Sequence, residues 1–412
     1  MTSDKKALWL TVPAWGHTIP AKRFMEQLNE YGIEHAVFSS GVWSEYFQDI
    51  SNENFDYNDF YSEQIEINQI TQYSGIKTLI NAFDLFTTIG LELRSDKSLV
   101  TTFDQFDFIF CDAMALPLAK LIKQSHQKII AYQTSIQVSA SSAKSIVSTY
   151  NNTPVGGHIK SLATDTIVSL PRIIYLLTKF NLKSQTRMRL IEILDPKGDA
   201  TVVLTSNFFQ PFTNQVSETY FIGPLFDTKS VLSMVKKTAY VSLGTMKVSE
   251  LAVLQPVVES LIANSYKIKI KIPKNYQADW LEHQNIYKQP FFNQIAELEN
   301  ASLFITHAGK NSCDEAILTQ TPTICIPQAN DQFILSARMQ ELGLGEIWLP
   351  DQGKSFENVL IKLESEREFY GKNLKSAYHE HINCSLCESE FGRLTQDLGL
   401  DSISRANKQR KQ

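Results

Sequence analysis

Ser302-Leu303-Phe304-Ile305-Thr306-His307-Ala308-Gly309-Lys310-Asn311-Ser312 is the stretch that decides the fold. The run 303–306 is apolar or β-branched and reads as a buried strand, Ala308 and Gly309 make a small-residue turn, and 313–318 reads as a helix. A strand passing through a short turn into a helix is half of a βαβ unit, and it aims several backbone N–H groups at one point, which makes an anion site. The same alternation extends outward. Strands are expected at 239–243, 267–272, 302–306, 323–326 and 346–348, and upstream at 7–12, 35–39, 106–111, 128–134 and 201–205, with longer amphipathic segments between them. This is the pattern of an α/β protein with parallel sheets. Gly223-Pro224 and the polar stretch 227–237 interrupt it, so the chain divides into domains at 1–225 and 238–385 joined by a linker at 226–237. A last helix and tail, 386–412, are expected to return to the first domain. The cleft between the domains is the default ligand site.

Composition narrows the function. The 412 residues are 43% hydrophobic and 20% charged, an ordinary globular balance and not a disordered one. Lys and Arg number 39 against 44 Asp and Glu, a net charge of −5, so there is no basic footprint for nucleic acid beyond the short tail of Arg405, Lys408, Arg410 and Lys411. Five cysteines, an odd number without framework spacing, point to a reducing cytoplasm. The apolar run at 7–12 is cut by Pro13 and Gly16 before a signal-peptide core can form. The most lipid-like stretch, 167–177, contains Pro171 and Arg172 and is too short to span a bilayer, although one face suits weak contact with a membrane surface. The polar segment 51–72 reads as a variable loop.

Chemistry concentrates at the ends of the expected strands. After the first comes Pro13-Ala14-Trp15-Gly16-His17-Thr18-Ile19-Pro20, with Pro20 suited to a first helical turn. This puts His17 in a loop at the carboxyl edge of a parallel sheet, where such folds bind ligands, and near the positive end of a helix, which favours the neutral, proton-accepting ring. Asp112 ends the strand at 106–111 and is placed to hold His17 in one tautomer and stabilise its cation. The plainer readings are a histidine bonded within its own loop and an aspartate capping the next helix. In the second domain His307, Lys310, Asn311 and Ser312 offer donors for a diphosphate, and Glu315 an acceptor for sugar hydroxyls. Ser242-Leu243-Gly244-Thr245 would close on the same phosphates. Asp331 and Gln332, after the strand at 323–326, match the edge of a polyhydroxylated ring. His379, His381, Cys384 and Cys387 lie close together, but with a single Cys-x-x-Cys they read as part of a helix and not as a zinc site.

In pattern the chain resembles family 1 glycosyltransferases of the GT-B fold, with two Rossmann-like β/α/β domains, of the bacterial macrolide-type and UDP-glucosyltransferase-like kind. The resemblance rests on Gly16-His17-Thr18-Ile19-Pro20, Phe221-Ile222-Gly223-Pro224, 240–245 and the block 291–348. It implies a UDP-sugar donor held by the second domain without a metal, and an inverting transfer of a hexose, glucose by preference, to a hydroxyl of a small apolar acceptor. It assigns His17 as base and Asp112 as its partner. It assigns Thr245, Phe291, Gln294, His307, Gly309, Asn311, Ser312, Glu315, Asp331 and Gln332 to the donor, with Phe291 where the family has Trp and Asn293 where it has Pro. Competing readings are a sugar-nucleotide epimerase or hydrolase and a nucleotide-sugar-binding protein without turnover. A nicotinamide dehydrogenase is disfavoured, since no Gly-x-Gly-x-x-Gly follows either first strand.

Overall fold

Residues 5–59, 76–96, 101–138, 140–184, 187–212, 218–226, 237–244, 248–329 and 331–400 are described by a computed structural model of the chain. The chain forms two compact units: 1–145, 161–225 and 384–412 make the first, and 146–160 with 226–383 the second. Most of the linker stretch 226–237 lies outside the described residues.

The first unit is built on a seven-stranded parallel sheet of β1 (Lys6–Leu10), β2 (Glu34–Ser39), β3 (Glu53–Asp56), β4 (Phe108–Asp112), β5 (Lys128–Gln133), β6 (Ala200–Val203) and β7 (Thr219–Phe221), in the order β3-β2-β1-β4-β5-β6-β7. All five expected strands are present. Every residue of β4 is buried, as a strand covered on both faces requires. Leu8, Leu10, Ile109 and Cys111 face one apolar layer with the helix Ile76–Ser95. Trp9, Phe110 and Tyr132 face the other, with Trp9 stacked on Phe110 at 4.4 Å. The helix Ser385–Asp397 closes this second layer with Leu394 and Phe391, and Arg393 lies over the Tyr220 ring while donating to the Thr219 carbonyl.

The segment at 53–56 is a strand and not a loop. β3 is an edge strand with its residues half-buried or exposed, so no apolar alternation marks it. β7 is likewise unannounced because it is only three residues long.

The second unit carries six parallel strands, β8 (Thr238–Ser242), β9 (Lys267–Lys271), β10 (Ile286–Gln289), β11 (Leu303–Thr306), β12 (Thr323–Cys325) and β13 (Gly345–Ile347), ordered β10-β9-β8-β11-β12-β13. Only β10, another partly exposed edge, lacks a sequence signal. Residues 146–160 dock here: Tyr150 donates to Glu341 at 2.7 Å and the His158 ring stacks on Phe333 at 4.4 Å. No helix among the described residues is long and apolar enough to cross a membrane.

In both sheets the strand order reverses beside the first strand, between β1 and β4 and between β8 and β11. The carboxyl ends at such a reversal are where open α/β sheets form a ligand crevice.

One core contact makes a stability prediction. Trp9 Nε1 donates to His35 Nδ1 at 3.0 Å, and burial lowers the His35 pKa from 6.5 to about 4. The native state therefore binds fewer protons than the unfolded chain between those values, so this contribution is full above pH about 6.5 and is lost as pH falls towards 4. It amounts to about 3 kcal/mol. Urea unfolding at pH 7.5, 6 and 5 should show the decline, and His35→Gln should flatten it. An unchanged slope in the variant would remove His35 from the account.

Candidate active site

His17 lies in the first turn of the helix Trp15–Asn29 and not in a loop, and Pro20 falls inside that helix. Ala14 is extended and starts the helix without a side-chain cap, with Thr18 N–H donating to its carbonyl at 2.8 Å. The chain thus turns into the helix directly after β1, and the imidazole is fixed by helical backbone.

Asp112 ends β4, next to β1. One oxygen, Oδ2, lies 2.7 Å from His17 Nδ1, and the other, Oδ1, accepts the Met114 N–H at 3.0 Å. The carboxylate is therefore both a cap for the short helical turn Ala113–Ala115 and the holder of the histidine. Asp112 is buried, while a quarter of the His17 side chain is exposed. An acceptor-only carboxylate at Nδ1 fixes the proton there, so the lone pair of the neutral ring is on Nε2. Thr134 Oγ1, 3.3 Å from Nδ1, completes the setting.

In the second unit β11 leads into the helix Lys310–Leu318, which Gly309 starts with no side-chain cap. The His307 ring is enclosed by two glycines. A Cβ at Gly309 would lie 2.5 Å from its Nε2, and one at Gly244 2.7 Å from its Cε1. Gly244 also has φ +72, which disfavours any side chain. Burial and then the charge of Lys271 lower the His307 pKa to about 4, so the ring is neutral. Its Nδ1 is buried with no hydrogen-bond partner among the described residues, the kind of orphan that a ligand satisfies. Lys271, at the end of β9, was not anticipated. It lies in a Lys/Ile alternation that reads as an ordinary edge pattern, and its nearness to His307 emerges only from the order of the strands.

Gln294, Ser312 and Glu315 come together: the Gln294 amide donates to Glu315 Oε2 at 2.5 Å and to Ser312 Oγ at 3.1 Å. Asn293 caps the helix Gln294–Leu298 by accepting the Ala296 N–H, which accounts for Asn at a position where the family has Pro. Phe291 is 72% exposed, so its ring is open to a ligand and is not a core residue, whereas Phe292 packs against Tyr240. Asn311 is half-buried in the first turn of 310–318. Thr245 lies outside the described residues.

Two donors expected from the sequence, Gln332 and Lys310, are already engaged within the chain. Gln332 Oε1 already accepts the N–H groups of Gln328 and Ala329 at 2.9 and 3.2 Å, which leaves its NH₂ as the group able to donate. Asp331 occupies the start of the helix Gln332–Glu341 without capping it through its side chain. Lys310 is not a phosphate ligand. Its ammonium is buried against Asp314 at 2.5 and 2.6 Å, and Asp314 bonds His381 Nε2 at 2.8 Å. Burial alone would raise the Asp314 pKa, but Lys310 and His381 hold it below the usual value. His381 belongs to a π-turn, Tyr378–Ile382, that breaks the expected helix, and Cys384 and Cys387 are joined as a disulfide that the sequence reading did not anticipate. No group of three metal-ligating side chains is gathered among the described residues.

Residues 244–373 match the glycosyltransferase family 28 C-terminal domain. Over 160 residues, 36% of this chain and 40% of the relative, the chain is 29% identical to an uncharacterized UDP-glucosyltransferase, YojK, of Bacillus subtilis strain 168. A 60-residue stretch, 15% of this chain and 14% of the relative, is 42% identical to the oleandomycin glycosyltransferase of Streptomyces antibioticus. The solved glycotransferase of kitacinnamycin superposes with a TM-score of 0.72 over 95% of this chain and 99% of that one, at 18% identity. The chain has the GT-B fold of solved glycosyltransferases, and its second unit is similar in sequence to glycosyltransferases. The match to YojK spans about two fifths of that relative's length. Within the GT-B plan, the uncapped helix and the glycine-enclosed histidine fall in the domain that the family 28 match covers.

The Lys310–Asp314–His381 cluster is a departure whose cost is measurable. Asp314→Ala removes the buried carboxylate that both Lys310 and His381 contact and should destabilise the protein by about 3–5 kcal/mol, whereas Lys310→Met with Asp314→Leu removes both charges and should recover most of that loss. Denaturant midpoints of the three proteins decide it. A double variant as unstable as the single one would show that the charges are not what holds this corner.

Proposed function

We propose that the chain is an inverting, metal-independent transferase that moves a hexose, glucose by preference, from a UDP-sugar to a hydroxyl of a small, largely apolar acceptor. The observation that carries the reading is the 2.7 Å contact between buried Asp112 and His17 at the reversal of the first sheet. With Nδ1–H held by Asp112, Nε2 takes the proton of the acceptor hydroxyl. The freed oxygen attacks the anomeric carbon from the side opposite the nucleotide, and the bond to the β-phosphate oxygen breaks. Attack opposite the leaving group inverts the anomeric configuration.

The charge that grows on UDP is met by the N-terminal end of 310–318, with Asn311 and Ser312 as side-chain donors, His307 beside them and Lys271 nearby. These donors take the place of a metal clamp. Phe291 is suited to stack on uracil, the Gln294–Glu315 pair to bind ribose, and Asp331 with the NH₂ of Gln332 to bind the sugar. The base lies on the first unit and the donor residues on the second. Exposed Trp15, edge-on to Trp43 at 4.7 Å and two residues from His17, favours an apolar acceptor. The glucose preference rests on the similarity to UDP-glucosyltransferases of Bacillus subtilis, YojK among them. A cytoplasmic setting suits the three buried free cysteines, Cys111, Cys313 and Cys325, whereas the Cys384–Cys387 disulfide does not argue for it.

His17→Ala should lower turnover about a hundredfold or more while leaving UDP affinity unchanged, since it removes the base and touches no donor contact. Calorimetric titration with UDP, alongside mass detection of hexose adducts on a panel of phenols, sterols and macrolides, checks both halves. Full turnover in the variant would end His17's role. UDP binding to neither protein would end the donor assignment.

A further inference from the structure

The helix Leu170–Lys183 buries Ile173, Leu176 and Phe180 against the core of the first unit. Its opposite face stays open: Ile174, Tyr175 and Leu182 are 52, 67 and 81% exposed, and Ile167 and Val168, just before it, 66 and 72%. These are five of the twelve large apolar side chains exposed among the described residues, gathered within sixteen positions. A cluster of this kind on a surface marks an interaction site.

Charge identifies the partner. In a chain of net charge −5, no Asp or Glu occurs from Thr166 to Ile191, while Arg172, Lys179, Lys183, Arg187 and Arg189 all do. Lys179 pairs with Asp84 at 3.0 Å and Arg189 with Glu192 at 3.7 Å. Arg172 donates only to the neutral Asn81 side chain, and Arg172, Lys183 and Arg187 enter no ion pair among the described residues. A second copy of this chain would suit the surface poorly, because a two-fold contact would bring these cations against themselves. An anionic lipid surface suits it well. It takes apolar side chains into the boundary below its head groups and attracts cations at its phosphates.

We propose that this face seats the protein on an anionic membrane, with Ile167, Val168, Ile174, Tyr175 and Leu182 entering the interface and Arg172, Lys183 and Arg187 contacting lipid phosphates. The proposal stands apart from the transfer chemistry, and a failure of either leaves the other in place. The association is peripheral and reversible, and salt weakens it.

The test is sedimentation of the full chain with vesicles of phosphatidylglycerol and phosphatidylcholine in equal parts, against vesicles of phosphatidylcholine alone, at low and high salt. The protein should pellet with the anionic vesicles at low salt and largely stay in solution in the other conditions. Arg172→Gln with Lys183→Gln should lower the partition coefficient about fivefold for each charge removed. Ile174→Ser with Leu182→Ser should abolish pelleting. Both variants alter exposed side chains, and circular dichroism confirms that they fold; the charge variant alone suffices if the serine variant does not. Wild-type protein that ignores anionic vesicles would overturn the proposal, as would variants that pellet like wild type. A dimer in light scattering that the serine variant dissolves would assign the face to a second copy instead.

Discussion

The carboxylate of Asp112 is the interaction on which the placement of His17, and with it the proposed transfer, depends. It is buried at the end of a strand that is itself wholly buried, and it divides its two oxygens between the Met114 N–H and the His17 ring. The backbone bond fixes the carboxylate in place, so the histidine is held by a group that cannot swing away. His17 is fixed from its own side by the first turn of 15–29. The sheet order puts the two strands side by side, and 95 residues of sequence separation become one hydrogen bond.

The second unit reaches its site by a different device, close approach of backbone. Gly244 and Gly309 leave room for the His307 ring, and burial keeps that ring neutral. In the same unit a set of charges, Lys310, Asp314 and His381, ties the helix 310–318 to the turn 378–382, shortly before the chain passes back to the first unit. Lys310 lies in sequence among the residues proposed to meet phosphate, yet the helical i, i+4 spacing gives it to Asp314.

Much of the α/β plan was legible because strands buried on both faces are continuous apolar runs: 108–112 and 303–306 announce themselves. The edge strands 53–56 and 286–289 do not, since half-exposed strands carry polar residues and lose their contrast with loops. At the site, His17 and Asp112 could be paired from the sequence as groups at one carboxyl edge of a sheet, and the choice between cap and holder for Asp112 was resolved as both. Local spacing could not reveal Lys271 beside His307, Gln332 turned back on its own loop, or Asp314 bonded to His381. Each depends on contacts that only the folded chain defines.

The measurement that tests the central claim most directly is the anomeric configuration of the sugar transferred from UDP-glucose, read by proton NMR on product made in the presence of a strong chelator. A single displacement by a hydroxyl deprotonated at His17, with phosphate charge met by N–H groups, predicts a β-glucoside formed at an undiminished rate. An α-glucoside, or product that forms only when magnesium or manganese is restored, would contradict it.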